Sequence, residues 1–221
     1  MTHRFLIPSA FALAAVAALA GPASAAAPDG VDWHMTAAQI KSSCAAMIKQ
    51  TDARVSAIVR ARSARTFDTV VLPLENASSD LNDKLVYQTF AYYVATDKGV
   101  RDASSDCQNA VSAYLNEVTA RPALEQAVAA ADKSGTAKSV YDKKLTALWL
   151  TTLKRSGAGL APAARAEFVS LSNQLSQLGI DFSTNLQNDK TTVTLTAAQT
   201  AGIPADIRQR TSASARCLVS S

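Results

Sequence analysis

Apolar residues recur every three or four positions over most of the chain between residues 36 and 188. The first stripe follows a T-x-x-Q capping box, Thr36 to Gln39, which satisfies the free amides at the start of a helix. Its apolar members are Ile40, Cys44, Met47, Ile48, Val55, Ile58 and Val59. This periodicity predicts a long helix that ends near residues 62–65.

Further stripes predict four more helices, separated by proline and glycine. The second stripe comprises Leu81, Leu85, Phe90, Tyr93 and Val94, and the third Cys107, Val111, Tyr114 and Val118. Leu124 and Val128 mark a shorter helix, and Tyr141, Leu145, Leu148 and Thr152 mark the inner side of the next. Pro73 lies ahead of the second helix, which we expect to begin after Ser78 or Ser79, with Leu72 extended.

The last stripe is the most regular. Phe168, Leu171, Leu175, Leu178 and Phe182 repeat at intervals of 3, 4, 3 and 4 residues, the spacing of a seam between two packed helices. Beyond Asn188, alternating β-branched residues predict one strand at 191–195. The predicted fold is therefore mainly α, an antiparallel helical bundle with one short strand near the C-terminus.

The first 25 residues have the pattern of a secretory signal peptide. Arg4 precedes an apolar stretch at 5–20, and Ala23 and Ala25 form an A-x-A cleavage site. A membrane anchor is the alternative, but the stretch is shorter than the ~20 apolar residues that a span needs. We expect export to the periplasm, with 26–35 as a short linker to the helical domain.

Composition narrows the classes of partner. The chain is 48% hydrophobic and 18% charged, with a net charge of +4, an ordinary globular balance. Arg54, Arg60, Arg62 and Arg65 form the densest basic group, without interleaved aromatic residues. Such a group is typical of a solvated helix face, so we expect no nucleic-acid partner and, once the leader is removed, no membrane partner.

The chain has three cysteines, Cys44, Cys107 and Cys217. Cys44 and Cys107 lie on the apolar stripes of two predicted helices, and in an oxidising compartment two adjacent helices can bring them within bridging distance. Buried free cysteines also pack well, so a disulfide and two free thiols both remain open.

No catalytic residue and no metal ligand is predicted. His34 is the one histidine beyond the leader, and neither H-E-x-x-H nor G-x-S-x-G occurs. The segment 153–162, LKRSGAGLAP, follows a helix and lacks G-K-[ST], so it indicates a helix–helix turn rather than a phosphate loop. Asp102 and Asp106 share a helix face, typical of a solvated pair, and the aromatic segment 90–97 is typical of core or of a groove wall.

Four segments, in order, carry family-like motifs: 64–77, 90–107, 153–189 and 195–207. They include an R-x-A-S-like helix start at 101–104, a K-R-x-G-x-G-L-like turn at 154–160 and an L-x-x-x-F-x-x-N-L-like helix end at 178–186. Together they resemble the N-terminal region of the thimet oligopeptidase (M3) family of zinc metallopeptidases. The resemblance extends from about residue 33 to about residue 207, and the tail 208–221 does not share it.

The resemblance implies that 36–207 is a channel-wall domain that limits access to short peptides. In the family, an H-E-x-x-H helix beyond the matched region binds one zinc, and no position here corresponds to it. We therefore predict the N-terminal portion of a periplasmic zinc metallo-oligopeptidase, inactive alone and without a cofactor of its own. Short peptides and a separate catalytic chain are its candidate partners. The alternative is an independent periplasmic helical peptide-binding or scaffold module.

Overall fold

The computed structural model describes residues 32, 34–189, 191, 195–196 and 198–207. Residues from Met35 onward belong to one compact unit, and Asp32 and His34 fall outside it. The predicted signal peptide, most of the predicted linker and the predicted tail lie outside the described residues. Within those residues, no helix combines the length and apolarity that crossing a membrane requires.

The described part of the chain is helical, which confirms the predicted class. Its elements are α1 (Ala37–Arg60), a π-helical segment (Phe67–Val71), α2 (Leu72–Val94), α3 (Lys98–Thr119), α4 (Pro122–Lys133), α5 (Val140–Arg155) and α6 (Pro162–Asn188). The capping box that starts α1 is present, since the Thr36 backbone N–H donates to Gln39 Oε1 over 2.8 Å. The first helix ends slightly before the predicted boundary, and Arg65 donates to the free carbonyl of Val59 at its end over 2.6 Å.

Side-chain pairs fix the directions of the first three helices. Gln88 of α2 donates to Ser43 of α1, whereas Arg54, farther along α1, pairs with Asp80, so α1 and α2 are antiparallel. Lys41 of α1 pairs with Asp106 of α3, and Cys44 meets Cys107, so that α3 lies beside α1 in the same direction.

The core lies where α1, α2 and α3 meet, with α4 and the π-helical segment closing one end. The stripes predicted for α1 and α3 supply much of it. Their buried members are Ile40, Cys44, Met47, Val55 and Ile58 on α1, and Cys107, Val111, Tyr114 and Val118 on α3. Leu124 and Val128 of α4 are buried as predicted.

The expectation for Pro73 is wrong. Leu72 has helical dihedral angles, φ −63° and ψ −45°, and α2 continues directly from the π-helical segment. Pro73 falls in the first turn of α2, a position that tolerates the fixed φ of proline. The second helix consequently begins at Leu72 rather than after Ser79.

The predicted inner faces of α2, α5 and α6 are wrong in part. Leu81 of α2 is buried and Leu145 of α5 packs against the core, as predicted, but other members are exposed. Tyr141 and Leu148 of α5 are 86% and 51% exposed, and the buried positions are Thr146 and Leu153. On α2, Phe90, Tyr93 and Val94 are about half exposed. On α6 the predicted seam from Leu171 to Phe182 faces outward, Phe168 lies against the turn at Gly157, and Ile180 is the buried residue. An apolar stripe predicts an amphipathic helix, but it does not say that the same chain covers the stripe.

The strand predicted at 191–195 is not seen. Thr191 and Leu195 are in irregular backbone, and residues 192–194 lie outside the described residues. Alternation alone does not make a strand, because its backbone groups need a neighbouring strand to pair with. No strand is present in the part of the chain that the structure describes.

Candidate functional site

An open groove of about 640 Å³ runs between α1 and α3. Its floor is built of small side chains because the two helices approach closely at the Cys44–Cys107 pair, with Ala45, Ala103 and Ala110 beside it. Its size and apolar floor fall in the range of small-ligand sites. The groove is therefore the best-formed candidate for a binding site among the described residues.

The structure joins Cys44 and Cys107 in a disulfide, with an S–S distance of 2.08 Å. Both cysteines are buried at the floor of the groove. Of the two alternatives that the sequence left open, the structure adopts the bridge. Cys217 lies outside the described residues.

Ion pairs line both ends of the groove. At one end, Lys41 Nζ lies 3.3 Å from Asp106 Oδ2. At the other, the Arg121 guanidinium donates to Asp52 over 2.6 Å and to Glu117 over 2.9 Å. Burial lowers the pKa of Arg121, but the bonds to Glu117 and Asp52 outweigh it and raise that pKa above its ordinary value. Arg121 therefore stays charged and ties α1 to the end of α3.

Tyr114 lies beneath this charged end. Burial, reinforced by the nearby charge of Asp52, raises the pKa of Tyr114 to about 12, and the positive charge of Arg121 opposes the shift. Its hydroxyl is buried and has no hydrogen-bond partner within the described part of the chain. Burying a hydroxyl without a hydrogen-bond partner costs free energy. A water molecule or a ligand atom that hydrogen-bonds to the Tyr114 hydroxyl would remove that cost.

Other residues that the sequence singled out lie elsewhere or have ordinary partners. Asp102 pairs with Lys98 over 2.7 Å and Asp106 pairs with Lys41, so each carboxylate has a cation of its own. His34 is exposed, and its backbone N–H donates to Asp32 Oδ1 over 2.9 Å. Across the described ranges, no three His, Cys, Asp or Glu side chains are grouped so as to hold a metal ion.

The turn at 153–162 closes α5 as a Schellman motif. The N–H of Ala158 donates to the carbonyl of Leu153, and the N–H of Gly157 to that of Lys154, both over 3.1 Å. Gly157 has φ +86°, the left-handed conformation that this motif requires. The segment is a helix–helix turn, as predicted.

The aromatic segment at 90–97 is divided between core and surface. Tyr92 is buried, and its hydroxyl shares a 2.9 Å hydrogen bond with Thr184 of α6. Tyr93 is exposed and contacts the Tyr92 ring edge to face. A smaller cavity of about 210 Å³ lies here between α2, α3 and α6, with Gln108 and Ser183 among its lining.

Sequence reasoning missed the charged end of the groove. It identified Tyr114 as a core residue of α3 and did not single out Asp52 or Arg121. The two members of the Arg121–Asp52 pair are 69 positions apart, and no local pattern links them. One usable signal was the position of Arg121 immediately before Pro122, at a helix boundary where a long side chain can reach a neighbouring helix.

The chain is similar in sequence to a known peptidase. Over 166 residues the chain is 26% identical to a mitochondrial intermediate peptidase of Pyricularia oryzae, covering 74% of this chain and 20% of the relative. The chain thus spans about a fifth of the length of that curated relative. No profile of a known protein family matches the chain. The similarity supports a peptidase-related helical region and a distant relation to the M3 peptidases.

Proposed function

We propose that this chain is the substrate-guiding helical region of a peptidase-type protein and that short peptides bind along the α1–α3 groove. The observation that carries the proposal is the groove itself, an apolar floor between charged ends in a bundle that is similar to part of a peptidase. In this proposal the chain does not hydrolyse peptides alone. Hydrolysis belongs to a separate catalytic chain, and the site of action is the periplasm.

The dimensions of the groove favour a short extended peptide. The lining of α1 runs from Lys41 to Asp52, about 16 Å at the helical rise. At about 3.3 Å per residue, an extended strand of roughly five residues spans that distance. Lys49 lines the groove as well, and a peptide terminus that binds at either end would have to compete with the Lys41–Asp106 or Arg121–Glu117 ion pair.

Binding tests the groove directly. Fluorescence anisotropy of labelled pentapeptides should show saturable binding to the purified chain, and Ala110→Trp should weaken it about tenfold or more by filling the floor. Ala147→Trp is the matched control, since Ala147 is exposed on α5 and away from the groove. If both variants bound the peptides equally well, the peptides would bind outside the α1–α3 groove.

Hydrolysis is tested separately. The purified chain with added zinc should leave a quenched fluorescent peptide uncleaved, with or without a chelator. The sequence supports this expectation, because it contains two histidines and no H-E-x-x-H motif. Zinc-dependent turnover that a chelator abolishes would overturn the proposal of an inactive region.

A second candidate is an independent periplasmic peptide-binding or scaffold module. The continuous core around α1, α2 and α3, with the disulfide across it, favours a unit that folds alone. This candidate predicts one cooperative melting transition and unchanged peptide binding when a catalytic peptidase chain is added. The leading proposal predicts that such a chain raises the affinity or cleaves the bound peptide.

A further inference from the structure

The outer face of α6 carries an uncovered apolar seam, defined here as Phe168, Leu171, Leu175, Leu178, Phe182 and Leu186. These side chains are 36% to 73% exposed in the described structure. The opposite face of α6 packs on α3 through mostly polar or small residues, with Asn116 donating to Asn173 over 2.9 Å. The helix therefore turns its polar face to its own bundle and its most apolar face outward.

We propose that the seam is an interface between two copies of this chain. Its spacing of 3, 4, 3, 4 and 4 residues suits knobs-into-holes packing, in which each side chain enters a gap on a facing helix of the same spacing. A second copy presents such a helix. The proposal goes beyond the proposed function and does not depend on the α1–α3 groove.

The area of the seam fits a stable dimer. Six large side chains, each with roughly 200 Å² of surface and about three-fifths exposed, offer on the order of 700 Å² per copy. A standard-size interface buries about 800 Å² on each side. From Phe168 to Leu186 the seam is about 27 Å long at the helical rise, which gives between two and three heptads of contact.

The proposed dimer pairs the two α6 helices antiparallel about a twofold axis. The helix has three charged residues, Arg165, Glu167 and Asp181, and none of them belongs to the seam. An antiparallel pairing centred between Leu175 and Leu178 sets Leu171 level with the second copy's Phe182. It sets Asp181 level with a serine rather than with a second carboxylate.

The oligomeric state tests the proposal. The 221-residue chain is expressed with its predicted leader in bacterial cells, and the protein purified from the periplasm is measured by light scattering coupled to size exclusion. We expect a concentration-dependent dimer above about 10 μM, typical of a micromolar interface of this size. Leu175→Glu should raise the dimer dissociation constant about tenfold or more, because it buries a charge in the seam.

Leu148→Glu is the matched control, since Leu148 is exposed on α5 outside the seam, and it should leave the dimer intact. Circular dichroism should show that both variants keep the helical content of the parent. A monomeric parent, or a dimer that Leu175→Glu leaves unchanged, would overturn the proposal. So would a parent that stays monomeric and binds a catalytic peptidase chain through Leu175.

Cross-linking tests the orientation. In a Cys217→Ser background, Leu171→Cys with Phe182→Cys should form intermolecular disulfides under mild oxidation. Leu171→Cys alone should not, since its two copies lie apart in an antiparallel pair. Efficient cross-linking of that single variant would overturn the antiparallel arrangement.

Discussion

Cys44 of α1 and Cys107 of α3 are bridged across 63 positions of sequence, at the floor of the groove. A bond over a loop of this length restricts the unfolded chain and is worth about 4 kcal/mol in the chain-entropy estimate. We expect Cys44→Ala with Cys107→Ala to lower the free energy of unfolding by about that amount, measured by urea denaturation. A Cys217→Ser parent avoids thiol exchange, and a loss below about 1 kcal/mol would show that the bond does not stabilise the fold.

Arg121 holds α1 through Asp52 and braces its own helix end through Glu117. Arg121→Met should lower the free energy of unfolding by about 1–2 kcal/mol, because it leaves two carboxylates at the groove without their cation. Lys98→Met is the control, since the Lys98–Asp102 pair is largely exposed and should contribute less than about 0.5 kcal/mol. If chemical denaturation showed the same loss of unfolding free energy for both variants, the ion pairs of Arg121 would contribute no more than an exposed ion pair.

Tyr114 should make stability sensitive to alkaline pH. Its pKa is raised to about 12 in the fold from the ordinary 10, so between these values the folded state holds a proton that the unfolded state has lost. The stabilising contribution is complete below pH 10 and is lost as the pH rises through about 12. Absorbance titration of tyrosinate should show one late component that Tyr114→Phe removes and Tyr141→Phe, at an exposed site, retains.

The same Tyr114→Phe variant should be at least as stable as the parent at pH 7. The substitution removes a buried hydroxyl without a partner among the described residues, and it keeps the ring. Thermal melting measures the change. A marked loss of stability would show that the hydroxyl has a partner, such as an ordered water in the core.

Gly157 should not tolerate a side chain. Its φ of +86° is strained for other residues, and an added Cβ would lie 3.1 Å from Cδ1 of Phe168. Gly157→Ala should lower the free energy of unfolding by about 1–2 kcal/mol. Gly159→Ala, two residues later and with open space around it, should have an effect within about 0.5 kcal/mol. If Gly157→Ala and Gly159→Ala unfolded at similar urea concentrations, the left-handed conformation of Gly157 would be contradicted.

Local patterns predicted the helical class, the capping box at Thr36 and the buried faces of α1 and α3. These features were accessible because their determinants lie within one or two turns of each other. The predictions failed on α5 and α6, where Leu148 and Leu175 are exposed although they lie on regular stripes. A stripe records that a face is apolar, whereas its burial depends on what packs against it.

The groove was only partly predictable. The sequence identified Cys44 and Cys107 as a possible pair because both lie on inward stripes. It did not identify the cluster of Asp52, Tyr114 and Arg121, whose members come from α1, α3 and the junction before α4. The spacing of charged residues along the chain does not identify a partner far away in sequence. Only the packing of the helices brings these three residues together.

The sequence by itself determined that the chain forms helices, that the first of them follows the capping box at Thr36, and that the chain is similar to part of a peptidase. Those properties follow from backbone hydrogen bonding, capping and apolar spacing within single segments. Only the tertiary structure decided which stripe is covered, which cysteines meet and where a groove opens. These outcomes depend on contacts between residues far apart in the chain, and such contacts form only when the helices pack.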